Sequence, residues 1–502
     1  MKKIKIGFTL ILLLLLSVQT LTVSAEVPYH TYTYDYWEDP INIPAPYTPD
    51  LTITGQDLES GQFNNPQDIT VTNDGRIYVA DTGNNRIVVL DHDFHYIEVI
   101  ESFDSEGETE TFNTPSGVFV SDKEELYIAD SNNNRIVVLD RDHKLVKTIQ
   151  DPQSEILGDG FVFTPLKVAV DYADRVYVIS NNMYQGIMTF DEMGQFNGFS
   201  GTINVSLSFS QKVWRLLSTR EQRARQVLYI PTEFTGMDVD PDGFIYASNI
   251  DTLGDQAVRR LNPKGQDVIK TSPRNDLGGD VTYPLRGAYA GPSTFRDVVY
   301  RGNGVYSTLD SNRGRIFTYD YEGNLLYVFG GMGTQKGTFR RPAAIAQKGD
   351  DLIVLDAGNN AILSFEPTHY GALINQAVEK RYLGDESETV ALWQEVLKLD
   401  ANNEMAYIGI GKAHLANGDN ALAVEYLNRG RDRNYYSIAY RRYRNEIMQE
   451  NFNLIMTVLV LGVVLFMVYR HLNKRHNFKF KNYFPKKIKL KKQVAERREV
   501  NV

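Results

Sequence analysis

The chain has 502 residues, of which 42% are hydrophobic, so it is long and apolar enough to form two or more domains with buried cores. It contains no cysteine, which excludes a disulfide framework. Its formal net charge is −10, and an acidic surface argues against binding to nucleic acid, whose phosphates attract basic surfaces.

The N-terminus has the pattern of a secretory signal peptide. An apolar run over residues 6–16 follows three lysines and precedes small residues at the spacing that a signal peptidase needs. These flanking residues are Lys2, Lys3 and Lys5, then Val23, Ser24 and Ala25. An uncleaved anchor is the alternative, but the apolar run is shorter than the roughly 20 residues that span a bilayer. We therefore predict a cleaved signal peptide over residues 1–25 and an N-terminal linker over residues 26–49.

Six copies of one unit follow the linker. The first two copies are closely similar, and the other four are weaker. The copies begin at Pro66, Pro115, Pro165, Phe234, Phe295 and Pro342. Each copy alternates apolar and polar residues in short runs between turn-forming residues, which predicts four antiparallel strands. Repeated four-stranded units indicate an all-β fold, a six-bladed β-propeller over residues 50–369.

One strand of this propeller precedes the first full copy. Residues 51–55 have the pattern of the last strand of a blade, whereas the sixth copy has no clear fourth strand after Phe365. We expect residues 51–55 to complete the sixth blade and so to close the ring.

The best copies share the motif Asp-x-x-Asn-x-Arg before a β-branched residue. Asp and Asn side chains satisfy backbone groups in tight turns, and we expect the arginine to pair with a nearby acid, so the motif is interpreted as structural. Its members are Asp81, Asn84, Arg86, Asp130, Asn133, Arg135, Asp310 and Arg315. The motif and the strand pattern resemble the NHL-repeat family of β-propellers.

No catalytic, metal or cofactor residues are predicted. The histidines His92, His95 and His143 fall in peripheral turns and do not converge. Residues 238–243 copy the first half of a calcium-binding loop, but Asn249 stands where that loop needs a glutamate, so an ordinary hairpin turn is favoured. The alternative is a metal-dependent propeller hydrolase or lyase, gluconolactonase-like or amidating-lyase-like, whose site has no recognisable pattern here.

The longest connections all fall on one face of the predicted ring. They include an insertion over residues 201–233, which contains a basic amphipathic segment that could dock on the propeller, an anionic polymer or a membrane surface. Aromatic and basic residues in and beside these connections suit protein or sugar surfaces. The candidate ligand-binding residues are Phe161, Phe163, Lys167, Trp214, Tyr283, Arg286, Tyr289, Arg296, Arg340 and Arg341.

Helical periodicity replaces the strand pattern after the propeller. Gly384 and Gly418, like Trp393 and Leu427, are one tetratricopeptide period apart, so residues 370–450 resemble a small all-α tetratricopeptide-like segment. Two such repeats are marginal alone, and the tyrosine-rich helix that follows is expected to cap them. The segment is either a groove for a partner or a stiff spacer.

Residues 452–469 contain no charged side chain and are long enough to form a transmembrane helix. The tail over residues 470–502 is strongly basic, so the positive-inside rule predicts a cytoplasmic tail and an N-terminus outside the membrane.

Together these features predict a non-enzymatic binding or scaffold protein in the cell membrane, with a single span. Its expected partner is a protein or glycan outside the membrane. Resemblance to membrane-anchored NHL proteins of Gram-positive bacteria implies a membrane complex, such as a transporter, as a further partner.

Overall fold

The computed structural model describes residues 27–105, 107–152, 154–157, 160–202, 233–250, 257–271 and 277–476. The predicted signal peptide, most of the predicted insertion with Trp214, and the tail beyond residue 476 lie outside the described residues.

Strands that alternate inward and outward side chains build the first half of the ring. Before it come β1 (Tyr32–Tyr34), β2 (Pro40–Asn42) and β3 (Tyr47–Thr54). Blade 1 contains β4 (Asp68–Val71), β5 (Ile77–Asp81), β6 (Arg86–Leu90) and β7 (Tyr96–Ile100), and a hairpin of β8 (Ser102–Ser105) and β9 (Glu108–Thr111) follows it. Blade 2 contains β10 (Pro115–Val120), β11 (Leu126–Asp130), β12 (Arg135–Leu139) and β13 (Leu145–Ile149). Blade 3 contains β14 (Pro165–Val170), β15 (Val176–Ser180), β16 (Ile187–Phe190) and β17 (Phe196–Ser200).

The second half of the ring repeats this arrangement. Blade 4 contains, among the described residues, β18 (Phe234–Val239), β19 (Ile245–Asn249) and β20 (Val258–Leu261). Blade 5 contains β21 (Phe295–Tyr300), β22 (Tyr306–Asp310), β23 (Arg315–Tyr319) and β24 (Leu325–Phe329). Blade 6 contains β25 (Pro342–Lys348), β26 (Asp351–Asp356) and β27 (Ala361–Pro367). The first strand of each blade contacts the first strand of the next, and β25 returns to β4, so the predicted six-bladed β-propeller is confirmed.

The ring closes where the sequence predicts. Strand β3 pairs antiparallel with β27, with Thr52 opposite Leu363 and Ile53 opposite Ile362. Ile53 is buried in the core that blades 6 and 1 share. An N-terminal strand therefore completes the last blade, and the sheet edge of β27 is covered.

Residues 27–49, for which the sequence predicts only a linker, contribute strands to blade 5. Strand β1 pairs with β24 through Tyr32 and Val328, and β2 pairs with β1. The hydroxyls of Tyr32 and Tyr34 both donate to Asp280. Burial first, and then the nearby Asp280 carboxylate, raises the pKa of both tyrosines, so both remain protonated donors.

The repeat motif forms the turn between the second and third strands. In blade 1 the Asp81 carboxylate accepts from Asn84 Nδ2 at 2.8 Å, from Arg86 Nε at 2.7 Å and from the backbone N–H of Asn64 at 2.7 Å. Asp130, Asn133 and Arg135 repeat these contacts in blade 2.

In blade 5 the arginine of the repeat motif has a different partner from the one expected. Arg315 does not pair with Asp310, because it donates instead to the carbonyl oxygens of His30 and Gly330. Arg313 forms the ion pair with Asp310 instead, with its Nη1 at 3.4 Å from Asp310 Oδ2. It occupies the position that Asn84 has in blade 1.

The two faces of the ring differ. The connection face carries the links from second to third strands and from each blade to the next; the turn face carries the hairpins from first to second and from third to fourth strands. The links between blades are the long ones, whereas the hairpins such as residues 72–76 and 240–244 span a few residues. Elaboration is thus confined to the connection face, as the sequence predicts.

Six helices follow the ring in the described part of the chain. They are α1 (His369–Tyr382), α2 (Glu386–Leu399), α3 (Glu404–Asn417), α4 (Asn420–Arg429), α5 (Arg433–Glu450) and α6 (Phe452–His476). Side chains of Thr368, Asp385, Asn403 and Asp432 accept backbone N–H bonds at the starts of α1, α2, α3 and α5, as N-cap residues do. The helical segment is confirmed, and its tetratricopeptide assignment stays a prediction.

The helices and the ring share one hydrophobic core. Tyr370, Ile374 and Trp393 pack in the same cluster as Tyr47 and Phe329 of the ring. At its polar edge, Arg301 donates to the hydroxyls of Tyr47 and Tyr327, and Asn375 of α1 bonds both tyrosines. The helices are therefore docked on the propeller through α1.

Helix α6 differs from the others because its side chains are exposed and apolar. Its mean hydropathy over residues 452–474 is 2.5, and no part of this stretch is buried. It is long and apolar enough to cross a membrane once.

Candidate functional site

The centre of the ring holds a cluster of charged side chains. The third residues of the six sequence copies are Asp68, Gly117, Lys167, Gly236, Asp297 and Ala344. Lys167 of blade 3 bonds Asp68 of blade 1 and lies 3.3 Å from Asp297 of blade 5, so it crosses the axis. The small residues in between make room for these contacts; a Cβ on Gly236 would lie 2.2 Å from Asp297 Oδ1.

Burial perturbs the pKa of two members of this axial cluster, Lys167 and Asp297. Burial lowers the pKa of Lys167, but the carboxylates of Asp297 and Asp68 outweigh it, and the net pKa is raised. Burial raises the pKa of Asp297 to about 6, against the opposing effect of Lys167. Lys167 is therefore a buried axial cation held by two acids, not a free ligand-binding side chain.

Aspartates of the first strands also tie neighbouring blades together. Asp68 Oδ2 accepts the backbone N–H of Val118 in blade 2 at 2.9 Å. Asp297 Oδ2 accepts that of Ile345 in blade 6 at 3.0 Å. These bonds hold adjacent first strands at a fixed distance around the axis.

A cavity of about 570 Å³ opens on the turn face, above the axial cluster. It lies where the first strands of blades 1 to 4 end, beside Tyr300 of blade 5. Its polar and aromatic lining includes Thr70, Thr72, Asp74, Tyr78, Phe119, Asp122, Glu124, His143, Asp171, Tyr172, Asp238, Asp240 and Tyr300. Thr70 is two residues along β4 from Asp68, so the ion cluster lies beneath the cavity.

Most carboxylates of this cavity have an arginine partner. Arg76 lies 3.3 Å from Asp74, and Arg141 Nη2 donates to Glu124 at 2.9 Å. Two arginines outside the lining do the same: Arg175 bonds Asp171 at 2.8 Å, and Arg260 bonds Asp240 at 2.7 Å.

The lining acids without a described arginine partner are Asp122, Asp140 and Asp238, and Asp238 is the one whose pKa is strongly raised by burial. Its carboxylate accepts only backbone N–H groups, from Tyr300 at 2.8 Å and from Val239 at 2.9 Å, and no described cation contacts it. Burial raises the pKa of Asp238 to about 6, the two backbone bonds lower it, and the nearby charges of Asp297 and Asp240 raise it further. The cavity therefore has an uncompensated acid at its inner side.

The candidate residues of the connection face separate into buried and exposed groups. Phe163 is fully buried and packs against Phe190, with ring centres 5.9 Å apart, so it belongs to the core, and Phe161 packs partly buried beside it. Arg296 is half-buried, and its Nη2 donates to Gln67 at 3.4 Å. The exposed group is Tyr283, Arg286, Tyr289, Arg340 and Arg341.

Within the exposed group, the segment 281–289 is a patch on the connection face between blades 4 and 5. Tyr283 is 37% exposed, Tyr289 is 45% exposed, and Leu285 between them is 86% exposed. Arg313 lies beneath Tyr283, with its guanidinium carbon 5.9 Å from the ring centre, and is itself held by Asp280 and Asp310. The exposed side chains thus stand on a fixed polar base.

Sequence reasoning placed the ligand site on the connection face and missed the turn-face cavity. The sequence signal for this cavity is Asp238 in the fifth position of its copy, where the copies of blades 1 and 3 have Thr70 and Ala169. The hairpin interpretation of residues 238–243 is confirmed, because Asp240 Oδ1 accepts the backbone N–H groups of Asp242 and Phe244. Among the described residues, no group of three His, Asp or Glu side chains is placed to hold a metal ion.

The NHL-repeat family model matches residues 63–90 and 112–139, which are the first two blades. These two matches and the six-bladed ring support the NHL-repeat family of β-propellers. The comparison with curated proteins found no match.

Similar solved structures include two lyases and a proposed gluconolactonase. Virginiamycin B lyase from Staphylococcus aureus is 10% identical, covers 64% of this chain and 100% of its own, with a TM-score of 0.39. A streptogramin B lyase is 12% identical over 65% of this chain and 100% of its own, with a TM-score of 0.38. The proposed gluconolactonase is 12% identical over 68% of this chain and 98% of its own, with a TM-score of 0.39. Likeness at this level carries no information about activity.

Proposed function

We propose that the protein is a non-enzymatic, membrane-anchored binding protein whose connection face engages a protein or glycan outside the membrane. The observation that carries this proposal is the exposed patch over residues 281–289. Aromatic side chains on a rigid base lose little entropy on binding and supply most of the energy of many interfaces. Arg286, Arg340 and Arg341 add charged hydrogen-bond donors to the same face.

The placement of the helices supports this assignment. The ring meets them through its turn face: Asn303 donates to Glu379 of α1, and Glu322 bonds Lys412 of α3 and Tyr435 of α5. The connection face is on the opposite side of the ring, and none of the described helices covers it. Helix α6 follows α5 directly and would anchor the assembly, with the basic tail in the cytoplasm.

The experiment compares binding of the full-length protein in detergent to cell envelopes of its source organism. The variant Tyr283→Ala/Leu285→Ser/Tyr289→Ala should lose binding by about tenfold or more. The matched control Val146→Ser/Met193→Ala changes side chains that are also exposed, away from this patch, and should bind normally. Envelopes treated with protease distinguish the partners, because a glycan partner survives the treatment. Equal binding by both variants would contradict the assignment to this face.

The rival function is a metal-dependent propeller hydrolase or lyase, gluconolactonase-like or amidating-lyase-like. The donors for such a metal are not grouped among the described residues. Elemental analysis of the full-length protein, purified without chelator, separates the two functions. A stoichiometric zinc or calcium ion would overturn the non-enzymatic proposal.

We propose that helices α1 to α5 recognise a membrane complex such as a transporter. Exposed apolar side chains on these helices, including Leu399, Leu422 and Tyr440, support it. Cross-linking from Leu422 in native membranes tests it, since a spacer would give no specific adduct.

A further inference from the structure

We propose that the turn-face cavity is a binding site for a small aliphatic amine, with its ammonium group placed against Asp238. This site is separate from the connection face, and it would add a small-molecule ligand to the proposed binding function. The argument rests on the shape of the cavity, its charge and its aromatic wall.

The cavity lies on the turn-face side of the axial cluster. Its volume of about 570 Å³ is within the range of small-ligand sites. Below it, Lys167 bridges Asp68 and Asp297 across the axis. A ligand that enters from the turn face meets Asp238, which is near enough to the axial cluster to feel the charge of Asp297.

The charge of the lining selects a cation. Asp74, Glu124, Asp171 and Asp240 each have an arginine, so their charges are compensated within the protein. Asp238 has only two backbone N–H bonds, although a carboxylate can accept about four. A carboxylate withdrawn from water without a cation is costly, and an ammonium group would remove that cost.

The wall supplies the second element of amine recognition. Phe119, Tyr172 and Tyr300 all line the cavity with Asp238. Aromatic faces attract cations, and an aliphatic amine can also bury its carbon chain against them. Tyr172 is held in place by the adjacent turn, because a Cβ on Gly243 would meet its ring at 2.6 Å.

The donor set does not suit a bare metal ion. No group of three acidic or histidine side chains among the described residues is placed to coordinate one. An ammonium needs fewer and less strictly arranged acceptors than a divalent cation. The rim acid Asp122, which has no described partner, can meet a second amine at the mouth.

The test is calorimetric titration of full-length protein in detergent with spermidine, at physiological salt so that unspecific attraction is screened. We expect saturable binding at one site per chain. Asp238→Asn should weaken it about tenfold or more, as loss of a charge-assisted contact does. Asp93→Asn removes an exposed acid of the turn face outside the cavity and should change nothing.

A second variant keeps the test decisive if Asp238→Asn fails to fold. Tyr172→Ala alters an exposed side chain of the cavity wall and should weaken spermidine binding without lowering the unfolding temperature. The connection-face triple variant should bind spermidine normally, so failure of one proposal is distinguishable from failure of the other. Absence of binding, equal binding by Asp238→Asn and wild type, or binding of a tri-lysine peptide but not of spermidine would overturn the proposal.

Discussion

Asp238 makes the stability of the ring depend on pH in a specific direction. Its pKa is about 6 in the folded protein, above its ordinary value of 3.8, because burial disfavours the charged form. The charges that face it are Asp297, which is paired with Lys167, and Asp240, which is paired with Arg260. The folded state binds the proton more tightly than the unfolded state, so this group stabilises the fold below about pH 4 and loses that contribution as pH rises through about 6.

Replacing Asp238 with Asn should remove this dependence. The difference in unfolding free energy between Asp238→Asn and wild type should shift in favour of the variant by at most roughly 3 kcal/mol between pH 4 and pH 7. Urea unfolding at several pH values measures it. Asp93→Asn is the control and should follow wild type throughout. A difference that is constant with pH would show that Asp238 titrates normally.

At the scale of single residues, the sequence predicts what is repeated and misses what is brought together by the ring. Asp81 and Arg86 could be paired because the same spacing recurs in the next blade. The same spacing predicts that Arg315 pairs with Asp310, but Arg315 instead donates to the carbonyl of His30, which lies just before β1. The sequence around Asp238 predicts only a hairpin turn, since nothing local indicates the four other blades that share its cavity.

At the scale of elements, closure of the ring depends on β3. This strand supplies the outer edge of blade 6 and buries Ile53 against blade 1. Deleting residues 50–56 would leave the edge of β27 open, and exposed edges both lose packing and invite aggregation.

We expect this deletion to lower the thermal unfolding midpoint by roughly 10 °C. Circular dichroism of the full-length protein in detergent is the measurement. The matched control removes the same number of residues from an exposed connection, 283–289, and should leave the midpoint nearly unchanged. If both deletions had the same effect, blade 6 would close without β3.

The docking of α1 gives a second prediction at this scale. Gly371 lies against the backbone of Pro46, and a Cβ there would be 2.0 Å from the Pro46 carbonyl oxygen. Backbone cannot move aside as a flexible side chain can, so Gly371→Ala should displace the first turn of α1. Limited trypsin digestion should then cleave faster at Lys380 and Arg381. His369→Ala, an exposed change on the same turn, should digest like wild type, and equal rates for both variants would contradict tight docking.

Element prediction succeeded where the pattern is long and failed where it is short. The blades and helices have periods that extend over many residues, whereas β1 has only three residues, Tyr32 to Tyr34. The hydroxyls of Tyr32 and Tyr34 are buried against Asp280, which lies far along the chain. A short Tyr-Thr-Tyr segment therefore carries no local sign that it extends blade 5.

At the scale of the whole molecule, the shared core links the ring to the helices that lead to α6, the proposed membrane span. Asn375 of α1 bonds Tyr47 and Tyr327 of the ring, and α1 to α5 continue into α6 with a single residue between the last two helices. The sequence predicts the segments in this order, but which face of the ring the helices occupy depends on those side-chain contacts. The ring and α1 therefore pack as one module through this core.

The orientation of this module in the membrane can be tested cleanly because the chain has no cysteine. Single cysteines at exposed Ser437 of α5, at Thr457 of α6 and at Gln493 of the tail would report three compartments. A basic flank stays in the cytoplasm, since moving its charges across the bilayer is unfavourable. We expect a membrane-impermeant maleimide to label Ser437→Cys on intact cells, to label Gln493→Cys only after permeabilisation, and to leave Thr457→Cys unlabelled in both cases. Labelling of Gln493→Cys on intact cells would show that the orientation is reversed and that the connection face is in the cytoplasm. Labelling of Thr457→Cys on intact membranes would show that α6 is in water and does not span the membrane.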